Sequence, residues 1–203
     1  MNLSSNKMLC DCYTSQLKQK LISKEVMSGV IYEDFTCHSN AAFLSETPYS
    51  ALSCPFPYWY GQTKSQCPSF CTCKYNTHFQ QVNIDCKNKS LHTIPNLDQL
   101  KMENLAKVVL DLSHNKLTTL VRRVAEENHK VIWDKIVYLD ISHNLIKMLN
   151  PHLLPRSLKN LKINDNKISE FSHSELSYFK DLHESGNSYN CSACFGNLLW
   201  LQF

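Results

Sequence analysis

Cysteine is the residue whose type and spacing carry most of the possible chemistry in this chain. Ten occur among 203 residues: Cys10, Cys12, Cys37, Cys54, Cys67, Cys71, Cys73, Cys86, Cys191 and Cys194. Thiolates either hold a metal or join as disulfides. Cys67-x3-Cys71-x-Cys73, followed by Cys86, offers the ligand set of a four-thiolate zinc site. Such sites usually present two CxxC-like hooks, whereas the second half here is the lone Cys86. In an extended C-x-C the two side chains share a face but start roughly 6–7 Å apart, which is wide for one metal. A curled C-x-C can still hold one, so geometry leaves zinc open. Clustering and even number favour disulfide modules in an oxidising compartment.

Acid–base chemistry is the other candidate. The tripeptide Ser-His-Asn occurs at His114 and again at His143, with Asp111 and Asp140 three residues before each. No nucleophile elbow or other site constellation accompanies them. No enzyme, cofactor or metal is expected. Net charge is +3, from 21 basic and 18 acidic residues, and no Lys/Arg run exceeds a pair, so the basic stripe of a nucleic-acid binder is missing. The N-terminal stretch has no apolar core of a signal peptide, and no apolar run approaches a membrane span. An export-type cysteine pattern without an export signal makes both ends look cut.

The elements that must position these residues emerge from an internal repeat. "KVVLDLSHNKL", "IVYLDISHNLI" and "LKNLKINDNKI" fit L-x-x-L-x-L-x-x-N-x-L, with one lapse at Lys107. Their asparagines are Asn115, Asn144 and Asn166. A weaker fourth match, "FKDLHESGNSY", places Asn187 in the same role but is broken by Glu184. The x-L-x-L part is a short strand with alternating faces. Its apolar residues enter a core shared with the next repeat, and the Asn amide bonds backbone of the neighbouring coil. Many such coils stack as a leucine-rich repeat solenoid, with a parallel sheet on the concave side. The fold class is therefore α/β: a short parallel-sheet array flanked by disulfide-rich caps. In "VRRVAEENHKVIWDK", Val121, Val124 and Ala125, then Val131 and Ile132, have helical spacing and predict a convex-side helix.

The run from Cys67 to Cys86, with Pro68, resembles the N-terminal cysteine cap of extracellular leucine-rich repeat proteins. Residues 9–56, "LCDC…FTC…ALSCPF", resemble the C-terminal cap, and "GNSYNCSACFGNLLWLQF" resembles the start of another, with C-x-x-C where C-x-C is usual. The order is a C-terminal cap over 1–60, an N-terminal cap over 61–95, about three repeats over 96–186, and a truncated C-terminal cap over 187–203. That order resembles the insect-type Toll receptors next to the membrane. The resemblance implies the pairs Cys10–Cys37, Cys12–Cys54, Cys67–Cys73 and Cys71–Cys86, and leaves Cys191 and Cys194 unpaired. It also implies a single-pass receptor outside the plasma membrane, whose span, signal peptide and cytoplasmic TIR domain are not in this sequence. Its partners would be a secreted cystine-knot ligand of the Spätzle type and a second receptor copy, with roles in innate immunity and development. The alternative is a secreted guidance or adhesion protein of the Slit type. Sequons stand at Asn2, Asn88 and Asn190. The strand residues Val109, Asp111, Tyr138, Asp140 and Lys162 are the expected solvent-facing interaction surface.

Overall fold

A computed structural model describes residues 7–23, 35–38, 41–55, 66–100, 105–120, 130–168, 177 and 188–190. In chain order its elements are β1 (Lys7–Met8), α1 (Ser15–Ser23), β2 (Thr36–Cys37), β3 (Cys54–Pro55), β4 (Thr72–Asn76), β5 (Gln81–Asp85), β6 (Lys107–Asp111), α2 (Lys130–Trp133), β7 (Ile136–Asp140), β8 (Asn160–Lys162) and β9 (Ser188–Asn190).

The first region is built around α1. A single 3-10 turn over Cys12–Thr14 leads into it. The Asp11 carboxylate accepts from the Tyr13 amide at 2.9 Å, and the Thr14 hydroxyl accepts from the Asp11 amide at 3.1 Å. This reciprocal cap satisfies amides that have no intrahelical partner. The helix lays Leu17 and Leu21 against a small core of Phe35, Cys37, Leu44 and Leu52. Lys18 is buried too; its ammonium donates to the Leu44 carbonyl at 3.0 Å and to the Ser45 carbonyl, and lies 5.1 Å from the Tyr49 ring centre. Those carbonyls and the ring face replace part of the water lost on burial.

One seven-stranded sheet then runs through the rest, in the order β3-β4-β5-β6-β7-β8-β9. β3 and β4 pair antiparallel, as do β4 and β5; from β5 onward every pairing is parallel. Strict alternation sends Val82 and Ile84, then Val108 and Leu110, into one core. Leu139 and Leu161 take the same place in β7 and β8. Each parallel step needs a crossover, and these rungs are separated by 22 to 29 residues, enough to cross behind the sheet.

One reading of the sequence changes. Lys107 is exposed, and Val108, fully buried, pairs with Ile136 at the first apolar place of the coil. A register shift between Val108 and Val109 absorbs the extra residue of β7, so the lapse at Lys107 is a β-bulge rather than a missing core residue. The weak fourth match at Asn187 lies outside the described residues; the next described strand starts at Ser188, and Tyr189 pairs with Leu161. Of the expected convex-side helix, Lys130–Trp133 is α2, with Ile132 and Trp133 buried; Val121, Val124 and Ala125 lie outside the described residues.

Candidate interaction surface

The positions of the surface side chains depend on what fixes each coil. In the cysteine-rich regions the fixing is covalent. Sulfurs join Cys10 to Cys37, Cys12 to Cys54, Cys67 to Cys73 and Cys71 to Cys86. Among the described residues no group of three or more His, Cys, Asp or Glu side chains is placed to hold a metal. Cys191 and Cys194 lie outside the described residues.

In the coils the fixing is by buried amides. The Asn115 side chain donates to the carbonyls of Cys86 and Leu112, each at 2.9 Å, and its oxygen accepts from the amides of Lys89 and Leu91 at 3.0 Å. Asn144 donates to Leu112 at 3.0 Å and Ile141 at 3.1 Å, and accepts from Leu117 at 3.0 Å. Asn166 donates to Ile141 and Ile163 at 2.9 Å and accepts from Ile146 at 3.1 Å. Each amide thus joins its own turn to the preceding coil. Only a side chain with both donors and an acceptor at this length satisfies that backbone.

The face of the sheet opposite the core is ruled into two rows by the strand register. One row reads Asn83, Val109, Tyr138, Asn160; the next reads Asp85, Asp111, Asp140, Lys162. Val109, Asp111 and Tyr138 are half-buried and Lys162 is exposed. Asp140 departs from its expected solvent-facing role, being only 8% exposed. Its carboxylate accepts from the Ser142 amide at 3.0 Å and the Ser142 hydroxyl at 2.6 Å, with the Lys162 ammonium at 3.8 Å. Asp85 and Asp111 likewise accept from the amides two residues on, at 3.0 and 2.8 Å. These aspartates close the strand ends as Asx turns. Lys162 also lies 5.6 Å from the Tyr138 ring centre, and Tyr138 first, then Asp140, holds its ammonium above the usual lysine range. The exposed chemistry of the face is therefore aromatic and cationic at Tyr138 and Lys162, beside a carboxylate row already occupied by backbone.

Asn76 is the positioning residue that the sequence pattern does not reveal. It is 2% exposed at the end of β4, and its amide donates to the carbonyls of Tyr49 at 2.6 Å and Leu52 at 3.1 Å. Thr77 donates to the Cys12 carbonyl at 2.9 Å, and the His78 ring stacks on Tyr49 with centres 3.8 Å apart. With the β3–β4 pairing, these contacts fix the first cysteine-rich region against the second. The signal was an Asn opening a hairpin turn, which reads as ordinary turn chemistry. His114 and His143 stack on each other with ring centres 4.1 Å apart, beyond the strand ends.

No family model matches the chain. By sequence it is similar to oligodendrocyte-myelin glycoprotein of Homo sapiens, 31% identical over 112 residues, and of Mus musculus, 33% identical over 112 residues. That match takes in 55% of this chain and 22% of either relative. By structure it is similar to chains of the Drosophila Toll–Spätzle complex, described as a molecular hub in development and innate immunity. The glycosylated form gives a TM-score of 0.69 at 20% identity, and a second form 0.67 at 19% identity. Each likeness covers 94% of this chain and 24% of the solved chain. The fold is thus shared with those chains, disulfide-rich regions included.

Proposed function

We propose that this chain is an extracellular, membrane-proximal part of a Toll-type transmembrane signalling receptor acting in innate immunity or development. In this reading it is a short leucine-rich repeat solenoid. Residues 1–60 close a preceding array, 61–95 open the next, 96–186 form its coils and 187–203 begin its closing cap. It works by binding and dimerising, without catalysis. The full receptor takes a secreted cystine-knot ligand of the Spätzle type, and the strand face around Tyr138 and Lys162 supplies contact surface. One observation carries the reading: two disulfide-tied regions and the parallel coils share one continuous sheet, in an arrangement like that of the Toll–Spätzle chains over 94% of this chain.

Cells displaying the full-length protein test it. Adding a Spätzle-type ligand is expected to give cross-linked receptor dimers at the cell surface. Release of the protein into the medium, with no ligand-dependent dimer, would overturn the reading and favour the Slit-type alternative. The match to oligodendrocyte-myelin glycoprotein is the stronger likeness in sequence. Its 112 residues are too few to reach from Cys10 to Asn166, so it does not carry the whole cap-to-coil order.

A further inference from the structure

Four consecutive coils place a residue with left-handed backbone at the same point, just after the strand. They are Asn88, His114, His143 and Asp165, with φ of 55°, 56°, 53° and 56°. The ladder fixes the equivalence: the amide of Asn88 donates to Ser113, that of His114 to Ser142 and that of His143 to Asn164. Three members of this column are occupied with each other. His114 stacks on His143, and His143 meets the Asp165 carboxylate at 3.4 Å. Asn88 is different. It is exposed, its side chain makes no hydrogen bond to any described residue, and it opens Asn88-Lys89-Ser90.

We infer that Asn88 carries an N-linked glycan, standing at the end of this column on the turn edge of the coils. The sequon supplies the acceptor amide. In the transfer, the side-chain nitrogen of Asn88 bonds the anomeric carbon of a lipid-diphosphate-linked oligosaccharide. The carbon–oxygen bond to the diphosphate breaks, the lipid diphosphate leaves with the electron pair, and the amide nitrogen gives up one proton. The fold must then leave room for the sugar, and here it does. Residues 87–90 are all exposed. Their backbone is held from below, where Asn115 accepts from the amides of Lys89 and Leu91, so the sequon is displayed without its own side chain being used. Asn115 and Asn144 are buried with their amides committed, so no glycan fits there. Asn190 stands within a paired strand and Asn2 lies outside the described residues.

This rests on the extracellular reading, and the two can fail separately. The full chain, sent through the secretory pathway of eukaryotic cells behind an export leader, is expected to lose one glycan's mass on treatment with peptide-N-glycosidase. The released peptide should carry Asp at position 88. Asn88→Asp, which tolerates the left-handed backbone, and Ser90→Ala should each abolish the shift completely. Exported protein with its cysteines bonded but Asn88 unmodified, or with sugar only at Asn2 or Asn190, overturns this inference and leaves the extracellular reading standing. Protein that is retained with free thiols sinks both.

Discussion

The region from Cys10 to Cys54 and the coils from β5 to β8 meet the same requirement, a buried core under a thin layer of backbone, by different means. Among the described residues the first buries only Phe35, Cys37, Leu44 and Leu52 in its apolar cluster, and two disulfides spanning 27 and 42 residues tie it. The second buries, among the described residues, one cluster running from Val82 to Ile168 and ties each coil to the last with one asparagine. A small module cannot bury enough area to offset its chain entropy, so it depends on restricting the unfolded chain. A stack has no such need, because every coil shares its core with its neighbours.

The comparison breaks most visibly on reduction. Chain-entropy arguments give about 4 kcal/mol for a loop the size of Cys12–Cys54, and about 2 kcal/mol for one the size of Cys67–Cys73. Reducing agent should therefore release amide protection in α1 first, while β6, β7 and β8 keep theirs. Hydrogen exchange read by mass spectrometry at rising thiol concentration checks this. Simultaneous loss in both regions would mean that the sheet shared through β3 and β4 makes them one cooperative unit. Next in size is Leu139→Ala. That side chain is fully buried between β6 and β8, and its removal should lower stability by about 2–5 kcal/mol in denaturant melts. A change under about 1 kcal/mol would show that the coils collapse around the gap.

Asn144→Ala comes third. It strands the amide of Leu117 and removes one of two side-chain donors from the carbonyls of Leu112 and Ile141, which Asn115 and Asn166 still reach, and an orphaned buried group costs about 1–3 kcal/mol. The control is Lys147→Ala in the same coil, exposed and outside this network, expected within about 0.5 kcal/mol of zero. Equal effects from the two would remove the asparagine ladder from the account.

The same contrast explains what was legible in the sequence. Period-two alternation and the recurring Asn report contacts between equivalent residues, so Leu110, Leu139 and Leu161 could be placed from spacing alone. That the cysteines pair as disulfides was favoured by their clustering and even number. The β3–β4 pairing was not legible, because β3 is two residues long and its partner lies within a separate disulfide group. Nor was the burial of Lys18 or Asn76, each set by carbonyls brought in from 24 or more residues away. The bulge at Val108 was hidden because one extra residue in β7 shifts the apparent start of the motif without disturbing its Asn. Asp140 looked like a surface residue because strand alternation predicts a face, not what the next turn lays over it.

The smallest effect on stability should be on the strand face, and there binding sharpens the comparison. Lys162 is raised above the ordinary lysine value of 10.5 by Tyr138 and then Asp140. A raised value means the folded state keeps the proton longer, so any stabilisation is complete below pH 10.5 and is lost as pH rises through the folded value. At 48% side-chain exposure the ion pair with Asp140 is screened by solvent. Lys162→Met should therefore move the melting midpoint at neutral pH hardly at all, and should flatten its decline above pH 10.5. Tyr138→Ala should also cost little beyond the half-buried ring. If this face supplies receptor contact, the pair should nevertheless weaken ligand-dependent dimerisation of the full-length protein about tenfold or more, since aromatic and cationic anchors dominate interfaces. Unchanged dimerisation with unchanged stability would move the contact off the strand face and onto another edge of the coils.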